Sequence, residues 1–341
     1  MKAAALGGGH GLHATLSALR ILDDIVTEVT AVVTVADDGG SSGRLRRELG
    51  TLPPGDLRMA LAALADGNGT DPAEALWVRL VQHRFGGTGA LAGHAVGNLL
   101  LAGLMDVLAD PVAALDEVCR LLGVRGRVLP MSPDPLDIEA EVTGLGEDPH
   151  TTSRIRGQVA VASTPGRVER VWLRPEHPRA CSEAVEAVHA ADLVLLGPGS
   201  WFTSVLPHLL VPQLRDALMT TRARRVVVLN LAPQPGETAG FSPEQHLTVL
   251  SQHAPGLMVD AVVADVAAVP VPQRLARTAE TMLAAEGKVH LAPVAAVDSA
   301  VPRHDPMALA LALRAVLAGF PPRWPHRRHE ADRPETAERR T

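Results

Sequence analysis

The chain has 341 residues, of which 46% are hydrophobic and 21% charged, and its formal net charge is −6. This balance is typical of a soluble globular protein with a large core and excludes an intrinsically disordered chain. The net charge provides no basic surface for DNA or RNA. An aromatic content of 2%, without any tyrosine, argues against a surface that stacks bases.

The two cysteines, Cys119 and Cys181, lie far apart in the sequence and form no paired metal-binding motif. They predict a reduced, cytoplasmic protein and exclude a cysteine-rich zinc site. The N-terminus enters a short apolar segment and then glycines, without the charged and long apolar regions of a signal peptide. The most apolar helical run, 99–108, is shorter than the roughly 20 residues needed to span a bilayer. We therefore expect no membrane insertion.

The chain begins with an apolar strand at 3–6, a glycine-rich turn at 7–11 and a helix with regularly spaced leucines. This order directs backbone N–H groups and a helix N-terminus at an anion, and so predicts a phosphate-binding turn. Its third glycine falls one residue too early for the GxGxxG fingerprint, so the turn does not indicate NAD. The alternative is that the glycines only tighten the turn. His10 and His13 are candidates for polar lining of the site rather than for catalysis.

A β-branched apolar run at 29–35 predicts a second buried strand, which leads into a segment of acids, glycines, serines and arginines. At the end of this strand, Asp37 and Asp38 can bind a cation, accept hydrogen bonds from hydroxyl groups or act as a base. Arg44 and Arg46 can bind an anion such as phosphate. The alternative is a flexible turn that carries solvated charges.

The sequence Pro-Pro-Gly-Asp at 53–56 opens a helix, with Asp56 as the expected N-cap. Arg58 falls in the first turn of this helix, where the helix dipole disfavours a cation. A cation in that position indicates an anionic partner, which is Asp37, Asp38 or a ligand.

A loop at 66–72 and a helix at 73–84 follow. A further helix is predicted to begin at Gly93, which places His94 and Asn98 at positions i and i+4 on one helical face. The sequence does not decide whether His94 contacts a ligand or has a purely structural role.

The pattern changes between residues 126 and 172, where short apolar alternations separated by turns predict strands. These strands are predicted at 127–131, 136–142, 157–162 and 168–172. We expect a small β-rich excursion, 126–172, that partly covers the site.

A buried strand at 192–196 leads into another glycine-rich segment, 197–204, which again precedes a helix-like region. Its hydroxyl donors are Ser200, Thr203 and Ser204. The aromatic side chains Trp201 and Phe202 either flank a planar base or sugar or pack on the sheet.

The rest of the ordered chain continues the alternation of strands and helices. Strands are predicted at 225–231, 260–266 and 289–294, and helices at 182–190, 275–286 and 307–317. Asn230 and the Gln-Pro-Gly-Glu-Thr sequence at 234–238 follow the first of these strands. Residues 321–341 are rich in proline, arginine, histidine and glutamate, which predicts a disordered tail.

Strands that alternate with helices predict an α/β fold, a Rossmann-like, mostly parallel sheet with helices on both faces, as a single domain at 1–320. The polar segments 7–11, 37–46, 197–204 and 230–238 all follow strands. Because ligands bind beyond the carboxyl ends of parallel strands, we expect these four segments to converge on one cleft.

The motifs of this chain resemble those of the gluconeogenesis-factor family, the YvcK-like group related to CofD, the 2-phospho-L-lactate transferase of coenzyme F420 biosynthesis. They cover residues 7 to about 305 in family order. The sequence differs from the commoner GGGTGLS in having His10 and His13. The matching motifs are Gly7-Gly8-Gly9-x-Gly11-Leu12, the string 33–46, Pro53-Pro54-Gly55-Asp56-Leu57-Arg58, Gly93-His94-x-x-Gly97-Asn98-Leu99, Gly197-Pro198-Gly199-Ser200 and Gln234-Pro235-Gly236-Glu237-Thr238.

The resemblance implies a cytoplasmic protein that binds a UDP-sugar such as UDP-N-acetylglucosamine and is required for cell shape and cell-wall synthesis during gluconeogenic growth. No reaction is established for that branch. The alternative is a CofD-type transferase that works with Mg²⁺, in which Asp37 and Asp38 would be catalytic or hold the metal. An NAD-dependent dehydrogenase is the weakest alternative, because the GxGxxG fingerprint is absent.

We thus expect a UDP-sugar or related nucleotide as partner, no nucleic acid, no required cofactor and Mg²⁺ as the metal candidate. An apolar edge helix could support a homodimer, but the sequence identifies no interface. The predicted ligand-binding residues are Gly8, Gly9, His10, Gly11, Asp37, Asp38, Gly39, Gly40, Ser41, Ser42, Arg44, Arg46, Arg58, His94, Asn98, Gly197, Gly199, Ser200, Thr203, Ser204, Asn230, Gln234, Glu237 and Thr238.

Overall fold

The computed structural model of the protein describes residues 1–65, 72–146, 148, 151–297 and 299–320. The predicted loop at 66–72 falls almost entirely outside the described residues, and the predicted tail at 321–341 falls wholly outside them.

Strands within the described residues form two sheets. In chain order the strands are β1 (Lys2–Gly7), β2 (Glu28–Val33), β3 (Arg127–Pro130), β4 (Asp137–Thr143), β5 (Thr152–Arg156), β6 (Arg167–Arg174), β7 (Leu193–Leu196), β8 (Arg224–Val228), β9 (Val259–Asp265) and β10 (Leu283–Ala292). Seven of them pair in parallel in the order β10-β9-β8-β7-β1-β2-β3. The predicted Rossmann-like, mostly parallel sheet is confirmed.

The central strands are continuous apolar runs rather than alternating ones. Every residue of β7 and β9 is buried, and so are the last five residues of β1 and β2. A parallel sheet covered by helices on both faces requires this pattern, because side chains on either face meet a helix instead of water.

The helices cover both faces of this sheet. In chain order they are α1 (Gly9–Ile21), α2 (Gly40–Leu49), α3 (Pro54–Leu64), α4 (Pro72–Gln82), α5 (Val96–Leu108), α6 (Pro111–Leu121), α7 (Gln158–Ala162), α8 (Ser182–Ala190), α9 (Pro212–Thr220), α10 (Pro243–His253), α11 (Pro272–Ala279) and α12 (Pro306–Ala318). Helix α1 packs against α3 and α12, whereas α8 packs against α9. In the part of the chain that the structure describes, no helix is both long and apolar enough to cross a membrane.

The small antiparallel sheet has the order β5-β4-β6. On its inner face, Ile138, Ala140 and Val142 of β4 are fully buried. The predicted strand at 127–131 does not belong to this excursion, because it pairs with β2 as the edge of the large sheet. The strand predicted at 157–162 is wrong, because Gly157, with φ of +107°, ends β5 and residues 158–162 form α7.

One helix prediction and one loop prediction are also wrong in their limits. Helix α11 ends at Ala279 instead of 286, because Leu283 already pairs with Val259 in the sheet. The segment 37–46 is not a loop throughout, since α2 begins at Gly40. In the first case pairing with a distant strand overrides the local helical pattern.

The strand order reverses beside β1. From β1 the chain proceeds to β2 and β3 on one side, whereas β7 returns to the other side of β1 and is followed by β8, β9 and β10. The topological switch point therefore lies between β1 and β7, and the crevice beyond their carboxyl ends is the expected position of a ligand.

Candidate functional site at the switch point

The turn after β1 and the loop after β7 are in direct backbone contact. A Cβ atom placed on Gly11 would lie 2.1 Å from the carbonyl oxygen of Pro198. A Cβ atom on Gly199 would lie 3.6 Å from the carbonyl oxygen of Gly8. Gly199 also has a φ of +138°, which side chains disfavour. The switch point thus requires glycine at Gly11 to let the two segments meet.

The N-terminus of α1 faces this contact. Gly8 occupies the N-cap position in an extended conformation and has no side chain to cap the helix, and the first turn contains no acidic residue. The Gly9 N–H at this end donates to the carboxyl group of Asp56. The N–H groups of His10 and Gly11 have no acceptor within the helix, because the first turn of any α-helix leaves its donors free. This end of the helix is suited to bind an anion.

The loop after β7 is held in place by the segment after β8. Asn230 Oδ1 accepts from the Gly199 N–H at 2.8 Å, and Asn230 Nδ2 donates to the Gly199 carbonyl at 2.8 Å. The Gln234 N–H donates to the Thr238 hydroxyl at 2.8 Å, which closes the turn at 234–238. The turn after β1, the loop after β7 and the segment after β8 therefore meet at the switch point, as the sequence predicted for these three segments.

A cleft of about 450 Å³ opens beside this contact. Its polar lining includes His10, Ser200, Gln234, Glu237, Arg303 and His304. Arg303 and His304 were missed by the sequence predictions, although residues 293–305 also follow a strand of the sheet, β10. The rule that polar segments follow strands could have found them, because the sequence already predicted the strand at 289–294 that precedes them.

Two acceptors in this cleft lack donors. The side-chain oxygen of Gln234 and Nε2 of His304 are buried without a hydrogen-bond partner among the described residues. Burial lowers the pKa of His304 to about 4, so its ring is neutral at physiological pH. Unpaired buried acceptors are unfavourable, and a ligand with O–H or N–H groups would satisfy them.

Glu237 is the most deeply buried acid of the cleft, with 2% of its surface exposed. Burial raises the pKa of its carboxyl group to about 7, although nearby N–H and hydroxyl groups of residues 200–203 favour the charged form. The carboxyl group therefore changes its charge near neutral pH.

A second group of acids lies on the other side of the glycine turn. Asp37 Oδ1 accepts from the Gly39 N–H at 2.9 Å, and Asp38 Oδ1 accepts from the Val159 N–H at 2.9 Å. Burial raises the pKa of Asp37. These carboxylates organise the start of α2 and dock α7 onto it.

Asp56 faces the glycine turn instead of capping its own helix, α3. Helix α3 begins at Pro54, so Asp56 lies within its first turn and the predicted N-cap is wrong. A Cβ atom on Gly8 would lie 2.5 Å from Asp56 Oδ2, and the Gly9 N–H donates to this carboxyl group. Burial, together with the charge of Asp37, raises the pKa of Asp56 to about 7. Asp56 is a site residue that its spacing in the sequence did not reveal.

In the part of the chain that the structure describes, no group of three or more His, Cys, Asp or Glu side chains is placed to hold a metal ion. Mg²⁺ is usually bound by one or two carboxylates together with phosphate oxygens of the ligand. Asp37 and Asp56 are a candidate pair beside the predicted pair of Asp37 and Asp38, because they lie close enough for the charge of Asp37 to raise the pKa of Asp56.

The predicted residues Ser41, Arg58, His94 and Asn98 form a buried network. Ser41 Oγ lies 2.9 Å from His94 Nδ1 and accepts from Asn98 Nδ2 at 2.9 Å, while Arg58 Nε donates to Asn98 Oδ1 at 2.9 Å. Helix α5 begins at Val96, so the predicted shared helical face of His94 and Asn98 is wrong, and Ser41 is what joins them. Burial lowers the pKa of Arg58 to about 10.

The other predicted cations are engaged by the protein itself. Arg44 donates to the Ala92 carbonyl at 2.7 Å, and Arg46 pairs with Asp137 at 2.5 Å. Trp201 and Phe202 are fully buried and pack against rings of α10, so they do not flank a ligand. Three predicted hydroxyl groups, those of Ser42, Thr203 and Ser204, are also buried.

The parallel sheet with a glycine-lined switch point defines a Rossmann-like α/β protein. A family model described as 2-phospho-L-lactate transferase CofD matches residues 4–299. The chain is 62% identical over 317 residues to a putative gluconeogenesis factor of Mycobacterium tuberculosis, which covers 92% of this chain and 90% of the relative. It is 39% identical over 269 residues to a gluconeogenesis factor of Bacillus subtilis, which covers 79% of this chain and 80% of the relative.

The structural comparison agrees. A crystal structure of a UPF0052-family protein from Bacillus halodurans has a TM-score of 0.76 and 33% identity, and the match covers 93% of this chain and 98% of that chain. The chain belongs to the CofD family, in its branch of YvcK-like gluconeogenesis factors, and the resemblance noted from the sequence is confirmed.

We predict that Gly11→Ala destabilises the protein by about 1–3 kcal/mol, because the added methyl group forces the two segments of the switch point apart. Gly103→Ala is the matched control, since Gly103 is also helical but a Cβ atom there meets nothing within 4 Å. The control should be stabilised by about 0.5–1 kcal/mol. Urea unfolding followed by circular dichroism measures both. Equal stability of Gly11→Ala and the wild type would contradict the proposed contact.

Proposed function

We propose that the protein binds a nucleotide-sugar of the UDP-N-acetylglucosamine type and acts through this binding rather than through catalysis. The observation that carries the proposal is the close contact of the glycine turn with the loop after β7, beside a cleft of about 450 Å³. The contact provides free backbone donors for a diphosphate, and the cleft provides acceptors for hydroxyl and N–H groups.

In this proposal the diphosphate binds the N–H groups of His10 and Gly11 and the hydroxyl group of Ser200. Arg303 balances its charge, because Arg303 is exposed on the rim of the same cleft. The nucleoside places its hydroxyl and N–H groups against the unpaired acceptors of Gln234 and His304. Each partner thus fits a ligand that is anionic in the middle and rich in donors at its ends.

We infer a regulatory role in cell shape and cell-wall synthesis during gluconeogenic growth. This inference rests on the family resemblance and on the relatives' printed name, gluconeogenesis factor, which names a metabolic role rather than a reaction.

A CofD-type transferase is the second candidate, favoured by the description of the matching family model. In such an enzyme Mg²⁺ held between Asp37 and Asp56 would neutralise the phosphate of the donor, and positioning would supply the catalysis. The purified protein, incubated with the deazaflavin acceptor, an activated phospholactate donor and Mg²⁺, should form no phospholactyl product by chromatography. Formation of this product at enzymatic rates would reverse the order of the two candidates.

We predict that the protein binds UDP-N-acetylglucosamine in isothermal titration calorimetry without Mg²⁺, and that Arg303→Ala weakens the binding about tenfold. The loss of a charge-assisted hydrogen bond to phosphate accounts for this factor. Arg120→Ala is the control, because Arg120 pairs with Glu117 on the surface of α6 and should not affect binding. Absence of heat at millimolar ligand would refute the proposed function.

We predict that the affinity for the same UDP-sugar in EDTA falls by roughly tenfold between pH 6 and pH 8. The pKa of Asp56 is raised to about 7, so this carboxyl group is neutral below pH 7 and repels the diphosphate above it. Asp56→Asn should reduce the pH dependence, whereas Asp24→Asn, at an exposed ion pair with Arg314, should leave it unchanged. Loss of binding in Asp56→Asn would show instead that its negative charge is needed, as for a metal ligand.

A further inference from the structure

A second cavity of about 330 Å³ lies beside the first, and the segment 230–233 borders both. The second cavity is located where β8 and β9 end, between the start of α10 and the start of α11. It contains none of the residues predicted from the sequence except Asn230.

The walls of this second cavity are mostly apolar, and few polar groups interrupt them. The apolar lining includes Leu231, Pro233, Phe241, Ala268, Pro270 and Val271. Glu244 and His246 are buried, with 7% and 3% of their surfaces exposed, and Arg274 stands at the rim 3.9 Å from Glu244. Such a lining suits a ring with apolar faces and a few polar substituents.

His246 contributes an unpaired acceptor to the lining of this cavity. Its Nδ1 lies 3.0 Å from the Ser242 carbonyl and must donate to it, so Nε2 carries a lone pair. This Nε2 is buried and has no partner among the described residues. The rings of Trp201 and Phe241 meet the imidazole edge-on, at centroid distances of 5.2 and 5.5 Å, and hold it in place. The cavity therefore presents a fixed acceptor that lacks a donor.

The cavity is not suited to a phosphate group. At the N-terminus of α10 the Ser242 N–H already donates to Gln245 Oε1 at 2.7 Å. The negative charge of Glu244 lies in its first turn. A neutral group with O–H or N–H donors fits this lining, and a hexose with an acetamido or hydroxyl substituent has that chemistry.

Asn230 connects the two cavities. It lines both of them, and its amide binds the backbone N–H and carbonyl of Gly199 in the switch-point contact. The switch-point contact, where we place the phosphate, is therefore joined to both cavities through this one residue. We propose that the second cavity is the sugar compartment of the site, in which His246 and Glu244 accept hydrogen bonds from the hexose. The inference rests on the proposed function.

The test compares UDP with UDP-N-acetylglucosamine in calorimetric titrations of the full-length protein. His246→Phe keeps an aromatic ring but removes the acceptor, and Val271→Trp fills the cavity from a position that is 48% exposed. The controls are His253→Phe and Val266→Trp. His253 lies two turns further along α10 with the same type of bond, from Nδ1 to the Val249 carbonyl at 2.8 Å, and Val266 is 52% exposed outside the cavity.

We expect His246→Phe to weaken binding of the UDP-sugar about five- to tenfold, the factor of one hydrogen bond, and to change UDP binding less than about twofold. Val271→Trp should abolish any difference in affinity between the two ligands, and both controls should match the wild type. Equal effects on UDP and the UDP-sugar, or none on either, would overturn the sugar compartment while leaving the proposed function intact. If the wild type binds neither ligand, the proposed function fails, and this inference fails with it.

Discussion

The contact between two backbone segments at the switch point is the constraint on which the site depends. The turn after β1 and the loop after β7 meet so closely that a single methyl group on Gly11 would overlap a carbonyl oxygen of Pro198. Because no side chain separates them, the free donors of α1 and the polar groups of the second loop face the same cleft. Backbone donors held in this way need no reorganisation when an anion binds. A substitution that separates the turn after β1 from the loop after β7 would displace these donors.

Two buried carboxyl groups near this contact change their charge near neutral pH. Asp56 and Glu237 both have pKa values raised to about 7, one beside the glycine turn and one in the cleft. A diphosphate is repelled by ionised carboxylates but not by neutral ones. Burial that raises the pKa of a carboxyl group disfavours its charged form, and local conflicts of this kind are expected at functional sites.

The arginines illustrate how far the spacing of residues could predict the site. Arg44, Arg46 and Arg58 all have the chemistry of phosphate ligands, yet their donors are directed to Ala92, Asp137 and Asn98. They stabilise the helices around the acidic segment. Arg303, which lies far from any glycine-rich motif, lines the cleft instead. A charge in the sequence indicates possible chemistry, whereas its partners depend on which distant residues the fold brings near.

The sequence by itself determined the alternation of strands and helices, the position of the glycine-rich segments after strands and the family, because these follow from local periodicity and from short motifs. It could also place the segments 7–11, 197–204 and 230–238 at one edge, since parallel strands end on the same side of a sheet. Only the tertiary structure decided that Asp56 faces the glycine turn, that β10 begins at Leu283 and that His304 joins the cleft. These outcomes depend on pairing and burial between residues far apart in the chain, for which spacing along the sequence contains no information.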